Sequence, residues 1–392
     1  MSKHVYTLAG ASLLIWPGAL AQSGSPIETE MDIDAVAVIL PLSNNDTARD
    51  AEPVLSELSL TASTQKVLDN GVRLRARGAL RLQRDHPNRP GGLDGIGSDR
   101  SAPVGALTGQ SSALTIDDDA MRGRLETAYL QIDGGYGEAR LGKDQGVAAR
   151  FYEGPRSVLS HARLDSALLD PSGLTSVRTR HDLTGQSAKL SYATPRLLGL
   201  RGGVSITPEA NADGLDRRPA AGTGGISPET EQAIELAVNG TRRLPDSDVR
   251  IDFTLAWSQA DITRKGLTAP YGRINSVSAG TRIEKADWTV GLAWLGTDNG
   301  LPDRDYEAWS AGLHRTAYDT DFSIEYGQSE DQGLGLEGSS WRVGAARHLG
   351  TSARLAIAYL HDERDSLAEH LKTQGIVVEI TLSQEILNLT GN

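Results

Sequence analysis

Residues 72–83 read V-R-L-R-A-R-G-A-L-R-L-Q. On a β-strand successive side chains point to opposite faces. Val72, Leu74, Ala76, Gly78, Leu80 and Leu82 then share one side, and Arg73, Arg75, Arg77 and Arg81 the other. On a helix the same residues would intermix arginine and leucine around the whole circumference and leave no face to bury. One face of this ribbon suits an apolar medium; the other carries positive charge. A soluble sheet with one solvated face alternates in the same way, so the segment alone leaves two readings open: a soluble β-sandwich and a membrane barrel.

Segments of the same kind recur to the end of the chain. They cover 31–40, 53–63, 71–84, 123–133, 136–145, 186–194, 199–207 and 231–240, then 249–259, 275–284, 287–296, 306–315, 321–327, 340–348, 352–361 and 373–382. The number is about sixteen, even as in single-chain bacterial barrels. Ten residues at ~3.3 Å each, tilted by ~40°, cover the ~25 Å apolar band of an outer membrane. The connections alternate in length. Long links at 85–122, 146–185 and 208–230 are separated by short ones at 134–137, 194–199 and 241–247, and the rhythm persists to 362–372. Long external loops and short periplasmic turns on successive hairpins are what a barrel inserted from one side produces. The predicted fold is all-β: a transmembrane antiparallel barrel.

Aromatic residues fall on the apolar faces. Phe253 and Trp257 share a side with Val249, Ile251 and Leu255, and Trp288 and Trp294 with Val290 and Leu292. Trp341 with Val343, Phe322 with Ile324 and Tyr326, and Tyr359 with Leu355 and Ile357 repeat the pattern. Such residues near both ends of an outward apolar band form interfacial girdles, whereas in a sandwich they would be core. Two segments carry mixed signals. In 227–240 Ser227, Pro228 and the acids that follow resemble a helix start, yet Ile234, Leu236 and Val238 alternate as a strand. The stretch 366–375 reads as a short helix ending at Gly375, within an external loop.

The first residues have a polar start at Lys3 and His4, an apolar core from Leu8 to Trp16 and small residues at Ala19-Leu20-Ala21. They predict a secretory signal peptide over 1–21, with the barrel in 22–392 and 22–27 loose. The net charge of −12 argues against nucleic acid as a partner. With no cysteine there is neither a disulfide framework nor a thiolate metal site. No later apolar run approaches the ~20 residues of a membrane helix, so a membrane-spanning form must be a closed barrel. Glycine is abundant at 43 residues while methionine and phenylalanine number 3 each, a balance that favours turns over a large aliphatic core. The histidines show no metal-ligand spacing, and no phosphate-binding loop, zinc-protease helix or nucleophile elbow is present. Neither an enzyme nor a cofactor is implied.

The stretches ETAYLQIDGGYGEARLGKDQG (126–146) and AKLSYATPRLLGLRGGVSITP (188–208) resemble Gram-negative general porins. The first is similar to the strand–turn–strand before that family's constriction loop, the second to the strand after it. LSLTASTQKVLDNGVRLRARG (58–78) fits the early hairpin. The resemblance implies a sixteen-stranded outer-membrane channel, a homotrimer in lipid, passing ions and small hydrophilic solutes. Its third external loop, here 146–185, would fold into the lumen. It further implies a basic wall facing loop acids across a narrow zone. The matching wall is Arg73, Arg75, Arg77 and Arg81, joined by Arg140 and Lys189; the candidate acids are Glu153, Asp165, Asp170 and Asp182. Arg150, Arg156, Arg163, Arg178 and Arg180 on the loop dilute its acidity and tilt the expected selectivity toward anions.

Magnitude sets the facing of the arginine ribbon. Each arginine turned to lipid costs ~2–4 kcal/mol at the midplane, so exposing the whole set would cost on the order of 10 kcal/mol. The charges must face water. Two other functions remain open at this stage: a substrate-specific anion or carboxylate channel on the same fold, and a secreted soluble β-sheet binding or adhesin protein.

Overall fold

The computed structural model describes residues 26–45, 54–86, 105–110, 121–211, 227–265, 271–301, 305–366 and 370–391. The predicted signal peptide lies outside them. Sixteen strands follow one another: β1 (Ile27–Asn45), β2 (Val54–Val67), β3 (Arg73–Arg84), β4 (Arg122–Gly134), β5 (Gly137–Asp144), β6 (Ser187–Ala193), β7 (Leu200–Asn211) and β8 (Ser227–Leu244). Then come β9 (Val249–Lys265), β10 (Arg273–Lys285), β11 (Trp288–Thr297), β12 (Tyr306–Ala317), β13 (Thr320–Asp331), β14 (Leu336–His348), β15 (Ala353–Ser366) and β16 (His370–Gly391). A single helical turn, α1 (Val147–Arg150), opens the long loop after β5.

Every strand pairs antiparallel with its sequence neighbours, and β1 pairs with β16 to close the barrel. Closure gives each strand two hydrogen-bonded neighbours, which is what allows strands to cross a bilayer without an unpaired edge in hydrocarbon. The short turns have local causes. Asn70 Oδ1 accepts the Val72 amide at 3.1 Å beside Gly71, and Tyr318 and Asp319 both adopt positive φ, as tight hairpin turns of primed type require. At Gly137 (φ 113°) a Cβ would lie 2.3 Å from the Ala193 carbonyl oxygen, so only glycine fits there.

The two faces separate as the alternation demands. Leu80, Leu130, Leu141, Leu292 and Ile324 are exposed on the outside, while Arg81, Gln83, Glu325, Arg342 and Glu379 point inward and are buried. Outward aromatic side chains form two belts. Tyr192, Phe253, Trp288 and Phe322 sit toward the short-turn ends of their strands. Trp294, Trp309, Tyr326 and Trp341 sit nearer the loop ends, and Trp257 and Tyr359 at mid-strand. Neighbouring rings touch, with ring centroids 5.4 Å apart for Trp309–Tyr326 and 5.0 Å for Trp341–Tyr359. Arg315 stacks over Trp288 at 4.8 Å, an apolar stem with a polar tip at the membrane edge.

One sequence reading needs correction, and one mixed signal is resolved. Residues 370–375 belong to β16, not to a helix ending at Gly375. Pairing with β15 on one side and β1 on the other satisfies this backbone, and a helix of so few residues is marginal without such support. Of the two readings of 227–240, the strand prevails. Ile234, Leu236 and Val238 face outward in β8, and the helix-start signals are absorbed by a register shift between Glu231 and Ile234, with Gln232 at φ 51°. The closing strands are also longer than 31–40 and 373–382. Ile27 pairs with Gly391 and Met31 with Leu387, so residues 383–391 continue the strand, through a bulge at Ile386, and zip onto the start of β1.

Candidate pore constriction

The apolar core of this barrel lies inside it, between the wall and the loop 146–185. Val147, Ala148 and Phe151 pack on Ala193, Ala237 and Ala256 of β6, β8 and β9. Val158, Leu159, Ala162 and Leu169 pack on Val36, Val38, Leu55, Leu360 and Val377 of β1, β2, β15 and β16. The loop therefore runs round the lumen from the β6–β9 wall to the opposite side before returning. Glycines on the inner wall make room for it. A Cβ at Gly280 would stand 1.8 Å from the Glu153 carbonyl oxygen, and one at Gly291 2.5 Å from Pro155 Cα. Both clashes are with backbone, which cannot swing aside.

Polar contacts fix the loop at intervals. Val147 N donates to Ser205 Oγ of β7 at 2.8 Å, and Arg354 of β15 donates to the Val158 carbonyl at 2.6 Å. Glu379 of β16 receives the amides of Ser160, His161 and Ala162 at 2.7, 2.9 and 3.0 Å. Arg342 of β14 and Asp362 of β15 form a buried pair at 2.7 Å, and Arg342 Nε also donates to the Ala162 carbonyl at 3.3 Å. Gln83 of β3 donates to the Leu168 carbonyl at 2.8 Å. On the return leg Gln110 and Tyr306 donate to the Ser176 carbonyl at 2.7 and 2.9 Å, and His181 sits between Ser258 and Ser278.

The wall residues singled out from sequence occupy one continuous surface. Register places Arg75, Gln131 and Arg140 in one row across β3, β4 and β5, and Arg77, Tyr129, Gly142 and Lys189 in the next. Arg73 lies at the short-turn end, 4.0 Å from Asp133. Arg81 is buried between Glu57 and Glu126 at 2.8 and 2.7 Å. Arg140 bridges Glu138 and Asp144 at 2.7 Å each and lies over the Tyr129 ring at 4.8 Å. Lys189 is buried under the loop's end, its Nζ donating to Thr184 Oγ1 and the Gly185 carbonyl.

The four loop acids are not gathered together. Glu153 pairs with Arg282 of β10 at 2.8 Å. Asp165 is held within the loop by Arg163 at 3.0 Å and Tyr152 at 2.7 Å. Asp170 receives hydrogen bonds from Ser172, Gly173 and Thr175 and shapes that turn. Asp182 is half-buried beside His181. Electrostatics differ accordingly. Burial drives the Tyr152 hydroxyl well above its ordinary range, and Asp165 adds to that. Burial also opposes charge on Asp165, but Arg163 and the hydrogen bonds outweigh it and hold this carboxyl below the usual range. For Glu153 burial outweighs Arg282 and raises the carboxyl.

One lumen feature escaped the sequence reading. Strand β1 pairs with β2 without a break from Glu28 to Ile39, so Glu28, Glu30, Asp32 and Asp34 share the inward face of the buried Val36 and Val38. These carboxylates stand two strands from Arg75, Arg77 and Arg81, across the small polar side chains Ser59, Thr61 and Ser63 of β2. The signal was present: E-T-E-M-D-I-D alternates as the arginine ribbon does.

Comparisons with known proteins agree with this architecture. The family model described as Gram-negative porin matches residues 12–367. No curated protein matches the chain in sequence. Among solved structures, the anion-selective porin from Comamonas acidovorans aligns over 92% of this chain and 100% of its own, at 13% identity and a TM-score of 0.55. Pseudomonas putida OprB covers 92% and 94% at 9% identity and a TM-score of 0.59. The trimer form of OmpT from Vibrio cholerae covers 92% and 100% at 11% identity and a TM-score of 0.52. The soluble-adhesin reading falls away, because the barrel is closed and its outer face is apolar. This chain belongs to the Gram-negative porin family: it is a non-enzymatic outer-membrane barrel, a channel through which small solutes diffuse.

Proposed function

We propose that solutes are filtered along the wall formed by β1 to β5, where a carboxylate ladder and an arginine ladder run side by side at the foot of the loop. The observation that carries this is the register: inward acids on β1 at 28, 30, 32 and 34, and inward arginines on β3 at 73, 75, 77 and 81. Fixed charges of opposite sign about 10 Å apart, two strand spacings, set a field across the passage that orients dipolar solutes and favours ions by local balance. Arg73, Arg75 and Arg77 are the charges that meet the solute. Arg81, Arg140 and Lys189 shape the wall around them. Glu153, Asp165, Asp170 and Asp182 hold and tune the loop that narrows the lumen.

Changing Arg73, Arg75 and Arg77 together to glutamine shifts the reversal potential toward cations in planar bilayers under a salt gradient. An unmoved potential removes them from the filter. A second reading, a carboxylate- or phosphate-selective channel, is favoured by the spacing of the arginines at alternate strand positions, which can hand an anion from one fork to the next. Its mark is block of ionic current by millimolar dicarboxylate, lost in the same triple variant.

The mature protein is a homotrimer in this reading, exported after removal of residues 1–21. Among the described residues, outward aromatic side chains occur on β6, β9 and β11 to β15 and on none of β16 and β1 to β5. That aliphatic sector, with Ala35, Ala37, Leu60, Ala62, Ala76 and Gly78 outward, suits contact with another copy better than contact with the lipid headgroup region.

A further inference from the structure

The inner wall of a water-filled barrel is expected to be polar, yet at the loop ends of β8 to β12 it is not. Ala233, Ile262, Ile274, Leu295 and Ala308 all point inward there, and all are buried. Their cover comes from two loops: Leu183 of the long loop, and Ala106 and Leu107 of the turn at 105–110, between β3 and β4. Leu107 is 2% exposed.

This turn is built into place. Its ends meet through Gly105 N to the Gln110 carbonyl at 2.9 Å, and Gly109 N donates to the Gly105 carbonyl at 2.8 Å. Asn299, in the link between β11 and β12, accepts the amides of Leu107 and Thr108 on Oδ1 at 3.3 and 3.2 Å. Its own Nδ2 donates to Asp331 of β13 at 3.1 Å. On the other flank Gln110 Nε2 donates to the Ser176 carbonyl of the long loop at 2.7 Å. A Cβ at Gly105 would come 2.4 Å from Thr108 Oγ1 and 2.7 Å from Asn299 Nδ2, so a larger residue there pushes the anchoring amide aside.

We infer that the 105–110 turn is a second constricting element, seated inside the external mouth beside the long loop, and that it closes off the β8–β12 side of the lumen. The physical reason is the apolar patch. Without the turn, Ile262, Ile274 and Leu295 would face water in the lumen, so the seated position is the stable one. The inference rests on the channel reading proposed above, because a turn filling the β8–β12 side constricts a passage only where solutes cross the lumen. It assigns Leu107 and Asn299 a specificity role that charge alone would not reveal.

The test is single-channel recording in potassium chloride with three variants of the full-length protein. They are a Gly-Ser replacement of 105–110 of equal length, Asn299→Gly, and Leu107→Cys. Asn299 has φ 52°, which glycine adopts without strain, so the second variant removes the anchoring amide and little else. Heat-modifiable migration verifies the barrel in each. The replacement is expected roughly to double the conductance, since it widens the external mouth, and Asn299→Gly to raise it less and add current noise. In a chain otherwise free of cysteine, Leu107→Cys reacts with an impermeant maleimide at least about ten-fold more slowly in the folded protein than after unfolding. Wild-type conductance in both folded loop variants, or rapid labelling of the folded cysteine variant, overturns the inference. Absence of any conductance in the wild type would count against the channel reading itself.

Discussion

The buried Arg342–Asp362 pair shows what single residues contribute to this channel. Both side chains are almost fully enclosed, at 1% and 0% exposure, and the guanidinium also reaches the loop at Ala162 and Thr175. Removing one partner leaves the other charge buried without its counterion. Asp362→Ala is therefore expected to destabilise the folded barrel by about 3–5 kcal/mol, read from urea unfolding in detergent. Asp165 gives a pH prediction. Its carboxyl lies below the ordinary range when folded, so its contribution is complete above the unfolded value near pH ~4 and is lost as the pH falls through the folded value. The difference in heat-modification midpoint between wild type and Asp165→Asn should be constant at pH 6–8 and shrink toward zero in strong acid; a difference that grew on acidification would contradict the assignment. The arginine ribbon was legible from alternation alone, and the β1 acids could have been. The Arg342–Asp362 pair could not, because it depends on the register between β14 and β15 and on which loop residue comes to rest beside them.

At the scale of elements, the decisive feature is how the wall receives the loop. Gly280 and Gly291 look unremarkable in sequence, one glycine among many, until register sets them facing Glu153 and Pro155. Gly280→Val would force the loop backbone off the wall at a cost of about 1–3 kcal/mol. The expected result is altered conductance with the barrel still heat-modifiable. Unchanged conductance would mean that the loop does not rest there in the membrane. Deleting 156–182 removes the part of the loop that crosses to β16, β1 and β2 and should raise single-channel conductance. The strands themselves were readable because their two-residue period persists, whereas the loop's inward course came only from family resemblance. The helix signals at 227–240 and 366–375 failed for a common reason: barrel closure offers both segments hydrogen-bonded neighbours that a short helix cannot match.

At the scale of the whole molecule, two arrangements follow from one separation of oil from water. Outside, aromatic side chains stand on β6, β9 and β11 to β15, and an aliphatic sector spans β16 and β1 to β5. Leu60→Arg within that sector should convert trimers to monomers on native gels without unfolding the barrel, since an unpaired arginine is costly to bury between apolar protein surfaces and is solvated at a detergent surface. Inside, the acids of β1 and the arginines of β3 line the wall on the same side as the proposed contact between copies. The most direct test of the account is to refold the purified protein into detergent, confirm heat-modifiable migration, and record it in a planar bilayer under a salt gradient. Stepwise ohmic insertions are predicted, with a reversal potential that moves toward cations when Arg73, Arg75 and Arg77 become glutamine and toward anions when Glu28, Glu30, Asp32 and Asp34 are neutralised. Correctly folded barrels that insert without conducting, or a reversal potential indifferent to both sets of changes, would contradict it.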